Sequence, residues 1–211
     1  MIFGVDLRAS PKRPSAVVAL DSESNMSFLT NFDEDSELYE MGQTYQPSLI
    51  AIGAPLSLPT GLCCLETTCD CAITTPQKKG RQGELELSRM GISCFFTNKR
   101  SIIRTLIYRG IELSQQLRKL GHEVIEVYPH ATKVILFGDK VPPKSSAASL
   151  SFMKDHLGPL VSGLDPYLDA MDRNTCDAVI NAYTALQHSR NATDVLGTAE
   201  EGCLVLPRLP R

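Results

Sequence analysis

The sequence predicts an α/β fold in which a mixed sheet is covered by helices on both faces. Three observations lead to this prediction. Three early strands are linked by hairpins, two later strands are each reached through helices, and the first strand is apolar on both faces and therefore central. The chain has 211 residues, so we expect one domain, residues 1–211, with a sizeable core.

The predicted strands are apolar runs bounded by turn-forming residues. The first is followed by the Pro-rich turn "RASPKRP", and the polar link "SESN" makes a hairpin of the next two. The fourth runs into a Pro-bounded loop. The closing "CLVLP" fits a short edge strand or an extended cover. The five main strands are residues 2–7, 15–21, 26–32, 47–59 and 122–130.

The predicted helices show apolar residues at helical spacing, or have an acidic start and a glycine at the end. The most regular is residues 99–121, which Gly121 terminates. The segment "GELELSRMG" is a short helix capped by Gly91. Residues 60–82 have no clear periodicity and are assigned to a loop. The remaining predicted helices are residues 33–42, 131–138, 145–158 and 172–190.

Composition and charge restrict the function classes. The net charge of −3 gives no global positive field for nucleic acid, so any nucleic-acid partner must be held locally, through metal. No apolar run approaches the roughly 18–20 residues of a membrane span, and no signal peptide is visible, so we expect a cytoplasmic protein without a membrane partner. An oligomer is compatible with the sequence.

Two carboxylates stand in unusual positions within predicted strands. Asp6 lies inside the apolar run of residues 2–7, and Glu126 lies mid-strand, sharing a face with Val124 and Tyr128. A buried carboxylate must be paired, hydrogen-bonded, bound to metal or protonated. A turn-capping role for Asp6 and an ion pair for Glu126 are the structural alternatives.

A third carboxylate, Asp177, lies on a predicted helix. Asn174 and Asn181 are three residues before it and four after it, so the three share one face of an otherwise apolar helix. A solvated helix face is the alternative. If the three carboxylates converge at one end of the sheet, cations must separate them, and hard oxygen ligands select Mg²⁺ or Mn²⁺. A pair of such ions clamps the attacking and leaving oxygens of a phosphodiester.

Several stretches together resemble the family called domain of unknown function 429, a predicted nuclease group of the ribonuclease H-like superfamily. The resemblance covers essentially the whole chain. It implies a five-stranded sheet of order 3-2-1-4-5, with metal carboxylates on strand 1, on strand 4 or 5, and on a late helix. The stretches are "GVDLRASPKRPSAVVALD", "IAIGAPLSLP", "VIEVYPHAT", "CDAVINAYTAL" and "EEGCLVLP".

The resemblance assigns roles to individual residues. Asp6, Glu126 and Asp177 become the catalytic metal ligands. His130, four residues past Glu126, is expected to meet a substrate phosphate or to shuttle a proton. Two residues of the "SPKRP" turn are expected to contact substrate phosphate, with a plain solvated turn as the alternative; they are Ser10 and Lys12.

One position departs from the family pattern. Where the family usually reads Ile-Asp-Ala-Pro-Leu, this chain reads "IGAPL", with Gly53 in place of the aspartate. In a 3-2-1-4-5 sheet, residue 53 lies between Asp6 and Glu126. The absence of an aspartate at position 53 is expected to weaken metal binding and to leave two-metal chemistry in doubt. Alternatively, Gly53 leaves space for a water ligand or a substrate backbone.

The seven cysteines are read as reduced thiols, and four of them fall within "CCLETTCDC". The spacing C-C-x4-C-x-C differs from paired C-x2-C knuckles. Zinc coordination, a redox-labile pair and ordinary loop thiols all remain open. The loop cysteines are Cys63, Cys64, Cys69 and Cys71; the others, Cys94, Cys176 and Cys203, are expected in the core.

Three functions follow from these observations. The first is a metal-dependent nuclease or phosphodiesterase using Mg²⁺ or Mn²⁺. The second is a catalytically inactive protein of the same fold that binds a ligand or partner, because Gly53 has removed catalysis. The third, an actin- or sugar-kinase-like ATPase, is disfavoured because no Gly-rich phosphate turn follows Asp6.

Overall fold

The central element is a seven-stranded mixed sheet. A computed structural model describes residues 1–9, 13–72, 79–143 and 146–208. The strands are β1 (Ile2–Asp6), β2 (Ser15–Leu20), β3 (Met26–Phe32), β4 (Leu49–Ile52), β5 (Val124–Val127), β6 (Thr193–Thr198) and β7 (Gly202–Pro207). Their spatial order is β3-β2-β1-β4-β5-β7-β6.

Strand direction brings several strand ends to one edge of the sheet. Strand β1 pairs in parallel with β4, β4 with β5, and β5 with β7. Strands β2, β3 and β6 pair antiparallel with their neighbours. The carboxyl ends of β1, β4 and β5 therefore meet, and ligands of open α/β sheets bind at this edge.

Helices cover both faces of the sheet. They are α1 (Asp35–Tyr45), α2 (Gln82–Arg89), α3 (Arg104–Lys119), α4 (Pro129–Phe137), α5 (Ala148–Leu157) and α6 (Arg173–Ser189). Helices α5 and α6 pack on one face, in a core that contains Ile2 and Ala51. Helices α1 and α3 pack on the other, in a core that contains Phe3 and Ile50.

Gly4 allows α6 to approach the central strand closely. A Cβ atom on Gly4 would lie 2.1 Å from the backbone nitrogen of Ala182 and 2.3 Å from the carbonyl oxygen of Ala178. Both contacts are far shorter than van der Waals distance, and both are to helix backbone that cannot move aside. The close packing holds α6 directly over β1, which sets the position of the side chains at the helix start.

The predicted strand order 3-2-1-4-5 is confirmed within the larger sheet. The prediction that "CLVLP" is an edge strand or an extended cover was wrong, because it forms β7, which pairs with β5 on one side and with β6 on the other. Strand β6 was not predicted: its sequence, "TDVLGT", is half-buried or exposed throughout and carries little apolar signal. The faces of β6 are only partly covered, so few of its side chains need to be apolar.

Several helix boundaries differ from the prediction, and α3 begins at Arg104 rather than at residue 99. Gly42 does not end α1, which continues to Tyr45 before the left-handed Gln46 (φ 46°). Gly42 is instead a packing position, since a Cβ there would lie 2.9 Å from Nε2 of His122. Pro129 begins α4 rather than closing the preceding strand, because proline is well suited to the first helical turn. None of the helices in the described ranges combines the length and apolarity that a membrane crossing requires.

Candidate active site

A cavity of about 410 Å³ lies at the carboxyl edge of β1, β4 and β5. It is lined by all three carboxylates singled out above, Asp6, Glu126 and Asp177, and by His130. Most of the other lining residues are apolar, and the volume is typical of sites for small ligands. The remaining predicted site residues, Ser10 and Lys12, lie outside the described residues.

Asp6 and Asp177 share the α6 side of the sheet. Asp6 is the last residue of β1 and follows the alternation of Ile2 and Gly4, which face α6. Asp177 lies on α6 itself. The two carboxylates are 6% and 1% exposed, so both are held in a largely desolvated environment. The fold therefore places two of the predicted ligands on the same side of one cavity.

The Asn-Asp-Asn stripe of α6 connects this helix to three other parts of the site. Asn174 Oδ1 accepts a hydrogen bond from Arg8 Nη2. Asp177 Oδ1 lies 2.7 Å from Nζ of Lys133, on α4. Asn181 Nδ2 donates to the carbonyl oxygen of Val5 at 2.8 Å. The stripe faces the carboxyl edge of the sheet, and each of its members binds a neighbouring element there.

Glu126 belongs to the opposite face. The parallel register aligns it with Ile52, which in turn aligns with Val5, and both of these side chains pack in the core under α1 and α3. Neighbouring residues in register point to the same face of a sheet. Glu126 therefore reaches the cavity from the side of the sheet away from Asp6 and Asp177.

Arg81 engages both oxygens of the Glu126 carboxylate. Its Nη1 donates to Oε2 at 2.7 Å and its Nη2 to Oε1 at 2.5 Å, while the backbone N–H of Leu56 also donates to Oε2 at 2.8 Å. Arg81 and Glu126 are 4% and 5% exposed. This geometry corresponds to the ion-pair alternative for Glu126.

A second buried carboxylate, Glu84, also contacts Arg81. Glu84 accepts from Nε of Arg81 at 2.9 Å and from its backbone N–H at 3.0 Å, and it also accepts from the backbone and hydroxyl of Thr97. Burial alone would lower the pKa of Arg81, but attraction to Glu126 and Glu84 outweighs burial and raises that pKa. The guanidinium is therefore a permanent cation in this wall of the cavity.

The space beside Gly53 is occupied by Asn181. A Cβ atom on Gly53 would lie 2.5 Å from Nδ2 of Asn181, which is itself fully buried. Gly53 immediately follows β4, and its N–H donates to the carbonyl oxygen of Val5 at 2.9 Å. The α6 amide thus occupies the position that a side chain at residue 53 would take, while Gly53 itself lines the cavity. That Gly53 leaves space for a water ligand or a substrate backbone stays a prediction.

The apolar wall of the cavity stays uncharged at neutral pH. Burial, together with the negative charges of Cys94 and Asp177 when ionised, raises the pKa of Tyr128 to about 12. Burial and the charge of Glu84 raise the pKa of Cys94 to about 11. The ring of His130, the second residue of α4, packs edge-on against Tyr128 with centroids 5.8 Å apart.

The sequence reasoning missed the buried cations and two further buried carboxylates. Lys133 is 6% exposed, and its signal was a lone cation inside the apolar stretch "ATKVILFG". Arg81 and Glu84 frame the start of α2, where they read as ordinary capping charges. Glu201, 2% exposed, accepts from the backbone N–H groups of Thr60 and Gln82. It fixes the start of α2 beside the cavity.

Of the three cysteines expected in the core, one is fully buried and two are half-buried. All seven are free thiols, and Cys176 is fully buried as predicted, whereas Cys94 and Cys203 are half-buried. The loop cysteines gather into one cluster, in which all four Sγ atoms lie within 4.8 Å of one another. Within the described ranges, no carboxylate group gathers three ligand atoms so tightly.

Comparison with known proteins identifies the family. The family model described as "Protein of unknown function (DUF429)" matches residues 4–201. The chain belongs to the DUF429 family. This confirms the family predicted from the sequence, and the strand order it implied is present in the sheet.

The other comparisons add little. No curated protein matches the chain. A structural neighbour is the Thermus thermophilus RuvC structure, with a TM-score of 0.43 and 12% sequence identity, over 90% of this chain and 96% of that one. A likeness at this level carries no information on activity.

Proposed function

We propose that this DUF429 protein is a divalent-metal-dependent phosphodiesterase of the nuclease class, acting at the cavity on the carboxyl edge of the sheet. The observation that carries the proposal is the placement of Asp6 and Asp177. One comes from the end of the central strand and the other from α6, and both line the same cavity from the same side of the sheet. Both are almost completely buried.

The donor set fits a single Mg²⁺ or Mn²⁺ better than a pair of ions. Mg²⁺ in proteins is held by one or two carboxylates and completes its octahedron with water and substrate phosphate oxygens. Asp6 and Asp177 supply two such carboxylates. Glu126 lies on the other face and already accepts three hydrogen bonds, so we assign it to the ion pair with Arg81.

A bound cation would act as a Lewis acid on a phosphoryl oxygen. The protein's own groups would orient the substrate around it. Lys133 pairs with Asp177 and fixes the orientation of its carboxylate through the 2.7 Å contact. His130, at the amino end of α4, lines the cavity and is our candidate for exchanging a proton with the substrate.

The substrate is expected to reach this site locally rather than through a basic surface. The net charge of −3 gives no long-range attraction for a polyanion. The cationic groups on the cavity wall, Arg8, Arg81 and Lys133, lie among four carboxylates, so a phosphate group would be met there by individual cations and by metal. The first turn of α4 adds N–H groups that favour an anion. A volume of about 410 Å³ suits one nucleotide unit.

The test is cleavage of labelled single-stranded DNA, double-stranded DNA and RNA in Mg²⁺ or Mn²⁺. We expect cleavage by the wild-type protein and a loss on the order of 100-fold or more in Asp6→Asn and Asp177→Asn. Asp194→Asn is the matched control, because Asp194 is an exposed carboxylate on edge strand β6 paired with Arg208. Cleavage that survives both Asp6→Asn and EDTA would overturn the proposal.

A second candidate is a non-catalytic protein that binds a small anionic ligand in the same cavity. The ion pairs favour it: Lys133 contacts Asp177 and Arg81 contacts Glu126, so two of the carboxylates that line the cavity have cationic partners without metal. This candidate predicts that a nucleoside monophosphate raises the melting temperature equally in EDTA and in Mn²⁺, and that Asp6→Asn leaves the rise unchanged. Metal-dependent cleavage lost in Asp6→Asn would contradict it.

A further inference from the structure

The loop between β4 and α2 gathers four thiols at one point. The Sγ atoms of its cysteines all lie within 4.8 Å of one another, and those of Cys63 and Cys69 are 3.6 Å apart. A disulfide requires about 2.05 Å, so these contacts are not disulfide bonds. The four residues are Cys63, Cys64, Cys69 and Cys71.

The dimensions of the cluster match one tetrahedral ion. With Zn–S bonds of about 2.3 Å, the sulfur atoms of a Cys₄ zinc site are about 3.8 Å apart. The separations here are compatible with that shell after small side-chain movements. In a [4Fe–4S] cluster each thiolate binds a different iron, and in a [2Fe–2S] cluster the thiolates bind two irons in pairs, so both clusters require a wider arrangement of the four sulfur atoms.

The described residues of this loop contain little regular secondary structure. Between the end of β4 at Ile52 and the start of α2 at Gln82, the described residues form only one short 3₁₀ turn, Asp70–Ala72. Connections of this length without regular structure are uncommon in compact domains unless something orders them. The anchor beside the cluster is Leu65, which is fully buried and whose N–H donates to the Tyr108 hydroxyl at 2.6 Å.

A cation already sits beside the cluster. Lys99 Nζ donates to the carbonyl oxygens of Cys69 at 2.6 Å and Glu66 at 2.7 Å. Four thiolates around Zn²⁺ carry a formal charge of about −2, which a neighbouring ammonium offsets. Groups that hydrogen-bond or neutralise the ligands are typical of the surroundings of a metal site.

We infer that Cys63, Cys64, Cys69 and Cys71 form a structural zinc site that orders the loop between β4 and α2. With four protein ligands the site is closed and has no position for catalysis. The loop also carries Leu56 at one end and Arg81 at the other, the two residues that donate to Glu126. The zinc site would therefore stabilise the wall of the cavity and remain separate from Asp6 and Asp177.

The experiment is metal analysis of the full-length protein purified without chelator or added zinc. We expect about one zinc per chain, falling below about 0.1 in Cys69→Ser and Cys71→Ser. Cys203→Ser is the matched control, because Cys203 is a half-buried thiol outside the cluster, and it should retain the zinc. Zinc retained in both loop variants would overturn the assignment.

Wild-type measurements keep the inference testable if the loop variants fail to fold. Exchange with Co²⁺ should give the thiolate-to-cobalt charge-transfer bands of a tetrahedral Cys₄ site, and zinc removal should speed proteolysis between Pro59 and Arg81. Stoichiometric iron in place of zinc would contradict the assignment. So would a disulfide among the four cysteines, or a metal-free protein whose four thiols alkylate rapidly. Neither metal-dependent cleavage nor its absence bears on this test.

Discussion

Arg81 forms a two-pronged ion pair with Glu126 in a wall of the cavity, with N–O distances of 2.7 and 2.5 Å. The pair joins the start of α2 to the middle of β5, and the backbone of Leu56 binds the same carboxylate. Because both side chains are almost fully buried, each needs the other as a counter-charge. The relationship assigns Glu126 a structural role.

Breaking this pair should cost considerable stability. We expect Arg81→Met to lower the free energy of unfolding by about 3–5 kcal/mol, because it leaves Glu126 and Glu84 buried without their cation. Urea denaturation of the full chain measures the change. Combining Arg81→Met with Glu126→Gln should recover part of the loss, since the uncompensated charge at residue 126 is then gone. A loss that is simply additive would show that the pair is energetically unimportant.

Lys133 should compete with a metal ion for Asp177. We expect Lys133→Met to destabilise the protein in EDTA, because the buried Asp177 carboxylate loses the ammonium group that lies 2.7 Å from it. Mn²⁺ should restore stability to this variant and should bind it more tightly than the wild type, because the cation replaces the ammonium. Thermal unfolding with and without Mn²⁺ measures both effects.

The matched control for that experiment is Lys133→Met combined with Asp177→Asn. It removes both charges, so Mn²⁺ should give no recovery there. Equal stabilisation of the wild type and both variants by Mn²⁺ would place the ion elsewhere and count against a site at Asp177.

Gly53 and Asn181 should be energetically coupled. Gly53→Ala is expected to destabilise the protein by about 1–3 kcal/mol, because the added methyl group overlaps Nδ2 of Asn181. Asn181→Ala alone removes the hydrogen bond to Val5. In the Asn181→Ala background, however, the cost of Gly53→Ala should largely vanish. The double-mutant cycle in urea measures the coupling, and strict additivity would argue that the side chain of Asn181 does not limit residue 53.

The phenol of Tyr128 should ionise at a higher pH than an ordinary tyrosine. Its pKa is raised from 10.0 to about 12, chiefly by burial. The phenol therefore ionises more readily in the unfolded chain than in the folded one. Its contribution to stability is complete below pH 10 and is lost as the pH rises from 10 to about 12. Tyrosinate absorbance during a pH titration should show a late-ionising tyrosine that Tyr128→Phe removes. A titration unchanged by this substitution would be inconsistent with the assignment.

Much of the sheet could be predicted from the sequence, because its apolar strands and its family motifs agree. Asp6 and Asp177 stood out as charges in apolar settings, and the structure brings both to one cavity. The face of Glu126 could not be predicted, because it depends on the parallel register of β5 with β4. Strand β6 could not be predicted because its faces are only partly covered, so its sequence carries little apolar signal.

The cationic partners of Glu126 and Asp177 could not be predicted from the sequence either. Arg81 lies 45 positions before Glu126 and Lys133 lies 44 before Asp177, so only the folded chain brings each pair together. The filling of the Gly53 site by Asn181 depends on the close approach of α6 to β1, which Gly4 permits. Contacts of this kind depend on how closely the helices and strands pack, which the spacing of residues along the chain does not reveal.

The most direct test of the central claim is anomalous diffraction from crystals of the full chain soaked in Mn²⁺. We predict a manganese peak between the carboxylates of Asp6 and Asp177, with Glu126 still paired to Arg81. Asp194, as an exposed carboxylate, should show no such peak. Crystals with no manganese at Asp6 and Asp177, or with manganese bound to Glu126 after displacement of Arg81, would contradict this account.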